Sequence, residues 1–279
     1  MQDFSGKGVV ITGAAAGIGF ALAKQFSSQG ARVLLADIRS DRLEQAAATL
    51  QAGGAEVATF VCDVTDRAQV EALAEHAWEV FGQVDVIVNN AGVGPIGSSV
   101  IDANPADVQR VLDVNLFGVW NGVSVFGRRF LAQTTPSAIY IVGSENCFFN
   151  AVPLGAGYVA SKHAVLAMTM ALREEVPSHI DVALICPGLV QSDLSPETSL
   201  GMDTDEFATR VMEQIRSGQE LIVTHGYNVV RIESRYQEVA AAYRQFAPRH
   251  DGDDRFDVRV LGERHHWYPE LPLPAVHSS

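Results

Sequence analysis

Residues 9–19, VVITGAAAGIG, join a run of aliphatic residues to a glycine-rich turn. The run is short and continuously apolar, which is typical of a strand buried on both faces of a parallel sheet. Gly13 permits a sharp turn, Gly17 lets a ligand approach the backbone closely, and Gly19 allows the next helix to pack tightly. The free N–H groups at the start of that helix favour an anion such as a pyrophosphate. The stretch therefore predicts a strand–turn–helix unit that binds a dinucleotide.

The alternation of strand and helix continues along the first two thirds of the chain. Strands are predicted at 9–12, 32–36, 56–61, 84–88, 138–142 and 181–186, and helices at 17–29, 40–52, 66–81, 105–132 and 157–175. This order is that of successive right-handed βαβ units. We therefore expect an α/β fold, in which a single domain contains a Rossmann-like doubly wound parallel sheet.

The final third of the chain is less regular. The pattern predicts a helix at about 204–217, a strand at 220–224 and an amphipathic helix at about 229–246, and a charged, proline-containing tail follows. We expect residues 1–247 to form the dinucleotide-binding domain, including the catalytic and substrate loops. Residues 248–279 would form an atypical C-terminal extension.

Composition and charge exclude several classes of function. The 279 residues are 47% hydrophobic and 19% charged, values typical of a folded soluble protein. The formal net charge of −13 disfavours binding to nucleic acid or to an anionic membrane. Three widely spaced cysteines are too few for a disulfide framework. We expect a cytoplasmic protein with no signal peptide, no membrane span and no metal site.

The second predicted strand ends at Asp37, eighteen residues after Gly19. In a dinucleotide-binding unit, a carboxylate at this place hydrogen-bonds the adenosine ribose hydroxyls and repels a 2′-phosphate. The turn residues 14–16 are all alanine, so Arg39 is the cation nearest in sequence. The pattern favours NAD over NADP as the cofactor. A solvated carboxylate that binds no ligand is the alternative interpretation of Asp37.

Seven short motifs follow one another in a fixed order. They are TGAAAGIG at 12–19, Cys62-Asp63-Val64, Asn89-Asn90-Ala91-Gly92, Asn115, Ser144, Tyr158-Val-Ala-Ser-Lys162 and Pro187-Gly188-Leu-Val-Gln-Ser192. In this order they resemble the short-chain dehydrogenase/reductase family in its basic one-domain form, over residues 5–192. The resemblance implies hydride transfer with a nicotinamide cofactor. It also implies a homodimer or homotetramer, formed through the helices predicted at 105–132 and 157–175.

Tyr158 and Lys162 are four residues apart, so they share one face of a helix. An ammonium group beside a phenol favours the phenolate and lowers a pKa that is ordinarily about 10. The resemblance makes Tyr158 the general base of alcohol oxidation or the general acid of ketone reduction. It places Ser144 at the substrate oxygen, and Asn115 beside a water that links Lys162 to solvent. Ser144 lies one residue further from Tyr158 than is usual in the family, which an insertion within 145–157 explains.

The other motif residues are expected to contact the cofactor. By resemblance, Asp63 would bond the adenine amino group, Val64 would lie beside the ring, and Ser192 would bind the nicotinamide carboxamide. The expected cofactor-binding set is Gly13, Gly17, Ile18, Gly19, Asp37, Ile38, Asp63, Val64, Asn90, Ala91, Gly92, Tyr158, Lys162, Pro187, Gly188, Val190 and Ser192.

A substrate pocket is expected above the strand ends, between loops at 93–98, 145–155 and 189–205. Its predicted lining is Pro95, Ile96, Phe148, Phe149, Val152, Leu154, Leu189 and Leu194, which favours a hydrophobic or aromatic small molecule. The leading hypothesis is an NAD-dependent oxidoreductase that interconverts a secondary alcohol and a ketone. Two alternatives remain open: an NADPH-dependent ketone reductase, in which Arg39 overrides Asp37, and a cofactor-binding protein without catalytic activity.

Overall fold

A parallel β-sheet forms the centre of the molecule in the computed structural model, which describes residues 1, 3–192 and 200–267. Its strands are Gly8–Thr12 (β1), Arg32–Asp37 (β2), Val57–Val61 (β3), Val86–Asn89 (β4), Ser137–Val142 (β5), Ile180–Cys186 (β6) and Leu221–Val223 (β7). The strand order is β3-β2-β1-β4-β5-β6-β7, and each neighbouring pair is parallel. The predicted doubly wound α/β fold is confirmed.

Helices cover both faces of this sheet. They are Gly17–Ser28 (α1), Ser40–Ala52 (α2), Arg67–Phe81 (α3), Pro105–Leu112 (α4), Val119–Ala132 (α5), Ala156–Glu175 (α6), Thr204–Arg216 (α7), Val229–Phe246 (α8) and Val258–His265 (α9). Side chains of α1, α2 and α7 fill the core on one face, and those of α3, α5 and α6 fill the core on the other. In β1, Val9 and Ile11 belong to the first core and Val10 to the second. Two buried faces explain why the strand is continuously apolar.

The binding crevice expected of this fold lies where the strand order reverses. Val10 of β1 pairs with Leu34 of β2 on one side and with Ile87 of β4 on the other. The chain leaves β1 and β4 towards opposite sides, so the segments after these two strands diverge. The crevice between them lies at the carboxyl ends of the strands, where the glycine turn and the segment after β4 are located.

Two regions differ in detail from the sequence prediction. The helix predicted over 105–132 is continuous but not uniform, because a π-helical turn, Asp113–Gly118, separates α4 from α5. This wider turn packs closely against Val64. A Cβ at Gly118 would lie only 2.6 Å from Val64 Cγ2, so the position has no room for a side chain. The tail after residue 247 contains a helix, α9, that the sequence pattern did not predict. Its N-cap is Asp257, whose carboxylate accepts a hydrogen bond from Arg259 N–H.

The C-terminal helices lie on the outside of the molecule. Of the described residues of α8, none is buried, and α9 buries Gly262 alone. No helix in the described ranges is long and apolar enough to span a membrane. The division of the chain at residue 247 stays a prediction.

Candidate active site

The glycine turn after β1 is closely packed against the segment that follows β4. Gly13 has φ +63°, and a Cβ there would lie 2.8 Å from the Cα of Ala91. A Cβ at Gly19 would lie 2.3 Å from the carbonyl oxygen of Gly13. Both positions therefore exclude any side chain, because backbone atoms occupy the space. The first turn of α1 then begins directly at the crevice.

Asn90 stabilises the glycine turn through hydrogen bonds. Its Nδ2 donates to the carbonyl oxygens of Thr12, at 2.9 Å, and Gly13, at 3.0 Å. In return, the Thr12 hydroxyl oxygen accepts from the N–H groups of Asn90, at 3.0 Å, and Ala91, at 3.2 Å. Both amide hydrogens of Asn90 can be satisfied within the protein. The side chain thus shapes the turn, and its contact with a cofactor stays a prediction.

Asp37 lies at the carboxyl end of β2 and is only 5% exposed. Its carboxylate accepts hydrogen bonds from Ala15 N–H at 3.2 Å and from Arg39 N–H at 3.0 Å. The Arg39 guanidinium also lies against it, with Nε 3.1 Å from Oδ1. The carboxylate is therefore fixed beside the glycine turn, with a positive group next to it. The neighbouring Ile38 side chain is exposed.

The segment after β3 is ordered by hydrogen bonds of its own. Asp63 accepts from both the N–H and the hydroxyl of Thr65, at 2.9 and 2.8 Å. Val64 is buried, and its carbonyl oxygen accepts from Asn121 Nδ2 at 2.9 Å. These contacts hold Asp63 and Val64 at the edge of the crevice.

Ser144, Tyr158 and Lys162 are brought together by β5 and the start of α6. Ser144 lies two residues after the end of β5, and Tyr158 and Lys162 lie in the first two turns of α6. Lys162 Nζ is 5.7 Å from the centre of the Tyr158 ring and donates to the Val142 carbonyl oxygen at 3.1 Å. Ser144 is hydrogen-bonded to the Tyr158 hydroxyl. The structure thus places a phenol, a hydroxyl and an amine in one group.

Asn146 sets the direction of the Ser144 hydroxyl. Ser144 Oγ accepts from both the N–H and Nδ2 of Asn146, each at 3.1 Å. Two accepted bonds occupy the lone pairs of the oxygen, so its own hydrogen is the one that donates, and the Pro187 carbonyl oxygen lies 3.5 Å away as an acceptor. Accepted hydrogen bonds also make a hydroxyl a better donor. This contact of Asn146 with Ser144 was not predicted from the sequence.

The ionisation of this group differs from the sequence prediction. Desolvation raises the pKa of the Tyr158 phenol above its ordinary value, although the hydrogen bond with Ser144 acts in the opposite direction. The prediction that the pKa of Tyr158 would lie below its ordinary value is therefore wrong for this structure, because loss of water outweighs the stabilising contacts. Burial also lowers the pKa of Lys162, since the ammonium form loses its hydration.

Asn115 lies in the π-helical turn and is fully buried. Its Oδ1 accepts from Val93 N–H at 2.7 Å, and its Nδ2 donates to the Val93 carbonyl at 3.0 Å and to Ser161 Oγ at 3.2 Å. Both amide hydrogens are used in tying the segment after β4 to α6. A water link to Lys162 would therefore use another atom of Asn115, and that role stays a prediction.

The segment after β6 meets the glycine turn across the crevice. Ser192 Cβ lies 3.4 Å from where a Cβ of Gly17 would stand. Pro187 accepts a hydrogen bond from Glu145 N–H at 2.8 Å, which joins this segment to the Ser144 turn. Val190 is buried and forms a bridge with Met202. Of the expected residues, Gly17 and Ser192 therefore lie close together although they are far apart in the sequence.

The expected pocket lining is only partly at the surface. Leu154 and Leu189 expose about half of their surface, at 56% and 48%. Phe149 is buried, and Phe148 packs against a core cluster, so these two rings support the loop instead. A bridge between Ser98 and Gly155 brings the loops at 93–98 and 145–155 together. Leu194 lies outside the described residues.

Side chains that follow β7 also reach the crevice, and the sequence prediction missed them. His225 and Tyr227 contact the backbone of Gly188 and Leu189, and Asn228 contacts Glu145. The available signal was topological, because a strand at 220–224 added in parallel beside β6 places its carboxyl end at the same edge of the sheet.

Comparison with known proteins agrees with this geometry. The family described as short chain dehydrogenase matches residues 7–203. A 1-deoxy-11-beta-hydroxypentalenate dehydrogenase from Streptomyces avermitilis is 35% identical over 243 residues, which cover 82% of this chain and 88% of the relative.

Solved structures are similar over most of their length. A short-chain dehydrogenase/reductase from Burkholderia phymatum, in complex with NAD, has a TM-score of 0.81 at 30% identity and covers 90% of this chain and 99% of its own. LigO from Sphingobium sp. strain SYK-6 also has a TM-score of 0.81 at 30% identity, covering 98% of this chain and 100% of its own. Together with the motifs in the crevice, these matches show that the chain is an oxidoreductase that belongs to the short-chain dehydrogenase/reductase family.

Proposed function

We propose that this chain interconverts a secondary alcohol and a ketone by hydride transfer with NAD. This proposal rests on one observation: Ser144, Tyr158 and Lys162 form one group at the same carboxyl edge of the sheet as the glycine turn. Removing a hydride from an alcohol carbon requires that the hydroxyl proton also be taken up, and a phenolate can accept it. A hydroxyl donor beside the phenol stabilises the charge that develops on the substrate oxygen.

The turn after β1 fits a dinucleotide. Backbone atoms fill the space at Gly13 and Gly19, so no side chain projects from the turn at these positions. The first turn of α1 therefore faces the crevice. Ala16, at the N-cap of α1, has no side-chain acceptor for the first N–H groups. These N–H groups, with Gly17 and Ile18, would bind a pyrophosphate. Members of this family bind a nicotinamide cofactor, which supplies the hydride acceptor or donor when bound.

Asp37 supports NAD as that cofactor. Its buried carboxylate is held beside the turn by Ala15 N–H, where it would accept hydrogen bonds from the adenosine ribose and repel a 2′-phosphate. The Burkholderia phymatum relative, whose structure is in complex with NAD, adds support. One observation favours the NADPH-dependent ketone reductase as a second candidate. The Arg39 guanidinium lies 3.1 Å from the same carboxylate and would offset part of its charge.

The protein groups would move the proton in a defined order. During oxidation, the Ser144 hydroxyl keeps its hydrogen and donates a hydrogen bond to the substrate oxygen, and the Tyr158 phenolate oxygen accepts the substrate's proton. During reduction, the Tyr158 phenol donates that proton to the ketone oxygen. The buried Lys162 amine donates a hydrogen bond to the Val142 carbonyl oxygen. When this amine is protonated, its positive charge stabilises the Tyr158 phenolate. The raised pKa of Tyr158 means that oxidation is favoured at alkaline pH.

We propose a hydrophobic or aromatic alcohol as the substrate. Exposed apolar side chains at Leu154 and Leu189 flank the crevice, which favours an apolar ligand. The relative from Streptomyces avermitilis is named as a dehydrogenase of a hydroxylated pentalenate, and this name supports an alcohol with an apolar carbon skeleton.

We also propose a homodimer or homotetramer in the cytoplasm. Large apolar side chains are exposed on the π-helical turn, α5 and α6, among them Phe117, Trp120, Leu131 and Met170. Exposed apolar patches of this kind mark contacts between proteins. Sedimentation of the purified chain would test the oligomeric state.

A screen of secondary alcohols tests the proposed activity. Aryl and alicyclic alcohols are incubated with the protein and either NAD or NADP, and formation of reduced cofactor is followed by absorbance. We expect turnover with NAD, and a loss of NAD preference in Asp37→Ala. Turnover with NADP alone would favour the second candidate. Cofactor binding without turnover of any alcohol would favour the protein without catalytic function, and unchanged turnover in Tyr158→Phe would contradict the proposed role of Tyr158.

A further inference from the structure

The segment that follows β7 packs directly on the segment that follows β6. Cys186, the last residue of β6, pairs with Val223, the last residue of β7, so the chain leaves both strands side by side. The segment after β6 includes Gly188 and Val190, which we place around the nicotinamide end of the cofactor. The segment after β7 lies outside the family match at 7–203.

The His225 imidazole bonds to this backbone through both of its nitrogens. Nδ1 accepts from Gly188 N–H at 3.1 Å, and Nε2 lies 3.1 Å from the carbonyl oxygen of Leu189. A carbonyl oxygen can only accept, so Nε2 carries the hydrogen and Nδ1 is the acceptor. The Thr224 hydroxyl, 2.8 Å from Nδ1, provides a second donor to the same nitrogen. In this neutral tautomer, Gly188 N–H and the Thr224 hydroxyl share the single lone pair of Nδ1, and Nε2–H donates to the Leu189 carbonyl oxygen.

Gly188 has no room for a side chain because of this ring. A Cβ there would lie 2.6 Å from His225 Cγ and 2.9 Å from the Tyr227 hydroxyl. The Tyr227 hydroxyl accepts from Leu189 N–H at 3.3 Å, and its ring is edge-on to His225 with centres 5.6 Å apart. The two rings therefore hold the backbone at Gly188 and Leu189 from one side.

The same segment is connected to the catalytic group. Asn228, nearly buried, donates through Nδ2 to the Glu145 carboxylate at 2.8 Å. Glu145 N–H in turn donates to the Pro187 carbonyl oxygen at 2.8 Å. The segments after β5, β6 and β7 are thus joined in one hydrogen-bonded arrangement, with His225 in contact with the part nearest the proposed nicotinamide site.

We propose that His225 is a positioning residue that holds the backbone of Gly188 and Leu189 in the shape that binds the nicotinamide end of the cofactor. This role rests on the proposed function. His225 acts through the backbone that it bonds, so its removal changes binding at one end of the dinucleotide. The adenosine end, at Asp37 and the glycine turn, is held by other contacts.

The test compares NAD with ADP-ribose, which has the adenosine and pyrophosphate but no nicotinamide. His225→Ala removes both ring hydrogen bonds, and we expect it to weaken NAD binding about tenfold, as for loss of one to two hydrogen bonds. ADP-ribose binding should stay within about twofold of wild type. His225→Asn keeps an acceptor near the place of Nδ1, and it should restore part of the NAD affinity. Calorimetric titration measures both ligands.

His179→Ala is the matched control. His179 Nε2 also lies against a backbone carbonyl, that of Phe130 at 3.2 Å, but at the opposite edge of the sheet. It should leave the affinities for both ligands unchanged. If the His225 variants lose affinity for NAD and ADP-ribose equally, the positioning role is overturned. Unchanged NAD affinity in both His225→Ala and His225→Asn would also overturn it. Should His225→Ala fail to fold, His225→Asn and Tyr227→Phe supply the same comparison. Wild type that binds no NAD would overturn the proposed function as well.

Discussion

Two long helices of this protein, α6 and α8, have similar lengths but different surroundings. α6 has 20 residues and buries Ser161, Lys162, Val165 and Thr169, whereas α8 has 18 residues and buries none of those described. Both carry the periodic apolar pattern of an amphipathic helix. The pattern predicts that a helix forms, but the strand it follows decides what it packs against. α6 follows β5, an interior strand between β4 and β6, and packs on one face of the sheet, whereas α8 follows the short edge strand β7.

The largest difference between the two helices should be seen in catalysis. Tyr158→Phe, in α6, removes the oxygen that we propose accepts the substrate proton, and we expect kcat to fall by about 10²- to 10⁴-fold. Tyr243→Phe, in α8, removes a hydroxyl from an exposed ring and should leave kcat unchanged. Both rates are measured with the alcohol found in the screen. A similar loss in the two variants would contradict the assignment of the site to α6.

The second largest difference between the two helices should be seen in the pH dependence of alcohol oxidation. By our proposal, Lys162→Met removes a buried amine that stabilises the Tyr158 phenolate. The pKa of Tyr158, already raised, should therefore rise further. The phenolate accepts the proton in oxidation, and the pH of half-maximal oxidation should therefore move upwards. Arg235→Met, an exposed position in α8, should leave that pH unchanged. A downward shift in Lys162→Met would show that Lys162 does not stabilise the phenolate.

Substitutions in the two helices should also differ in their effect on the free energy of unfolding, and this difference should be smaller than the one in catalysis. Val165 of α6 is fully buried, and Val165→Ala should lower the free energy of unfolding by about 1 to 3 kcal/mol. Val239 of α8 is about half exposed, and Val239→Ala should change it by less than about 0.5 kcal/mol. Urea denaturation of the two variants beside wild type measures the difference. Equal destabilisation would mean that α8 is packed in solution.

The smallest effect is expected where α9 touches α6. Arg259 forms an exposed ion pair with Glu174, 2.8 Å apart. Exposed ion pairs are screened by water and salt, so Arg259→Ala should leave the unfolding midpoint unchanged within error. A clear decrease would mean that the tail is more firmly attached to the domain than this contact provides.

Much of the fold was predictable because its signals are local. The six strands of continuous Val, Ile and Leu, and the turn with Gly13, Gly17 and Gly19, are encoded within short windows of sequence. α9 was missed because its short segment is charged and its apolar residues are few. The π-helical turn at Asp113–Gly118 was also missed, since its apolar pattern continues into the flanking α-helices.

The site was predictable in its members but not in its electrostatics. The motifs named Ser144, Tyr158 and Lys162, and their positions after β5 and in α6 bring them together. The raised pKa of Tyr158 depends on burial, which spacing along a helix does not reveal. The contact of His225 with Gly188 depends on the pairing of β6 with β7 across 37 residues of sequence. Such tertiary contacts leave no periodic signal.

Calorimetric titration of the purified protein with NAD, and separately with NADP, tests the central claim most directly. The glycine turn and the buried carboxylate of Asp37 predict that NAD binds at least about tenfold more tightly than NADP, because a 2′-phosphate would be repelled. Tighter binding of NADP would contradict the assignment of Asp37 and favour ketone reduction. Binding of neither would contradict the proposed dehydrogenase itself.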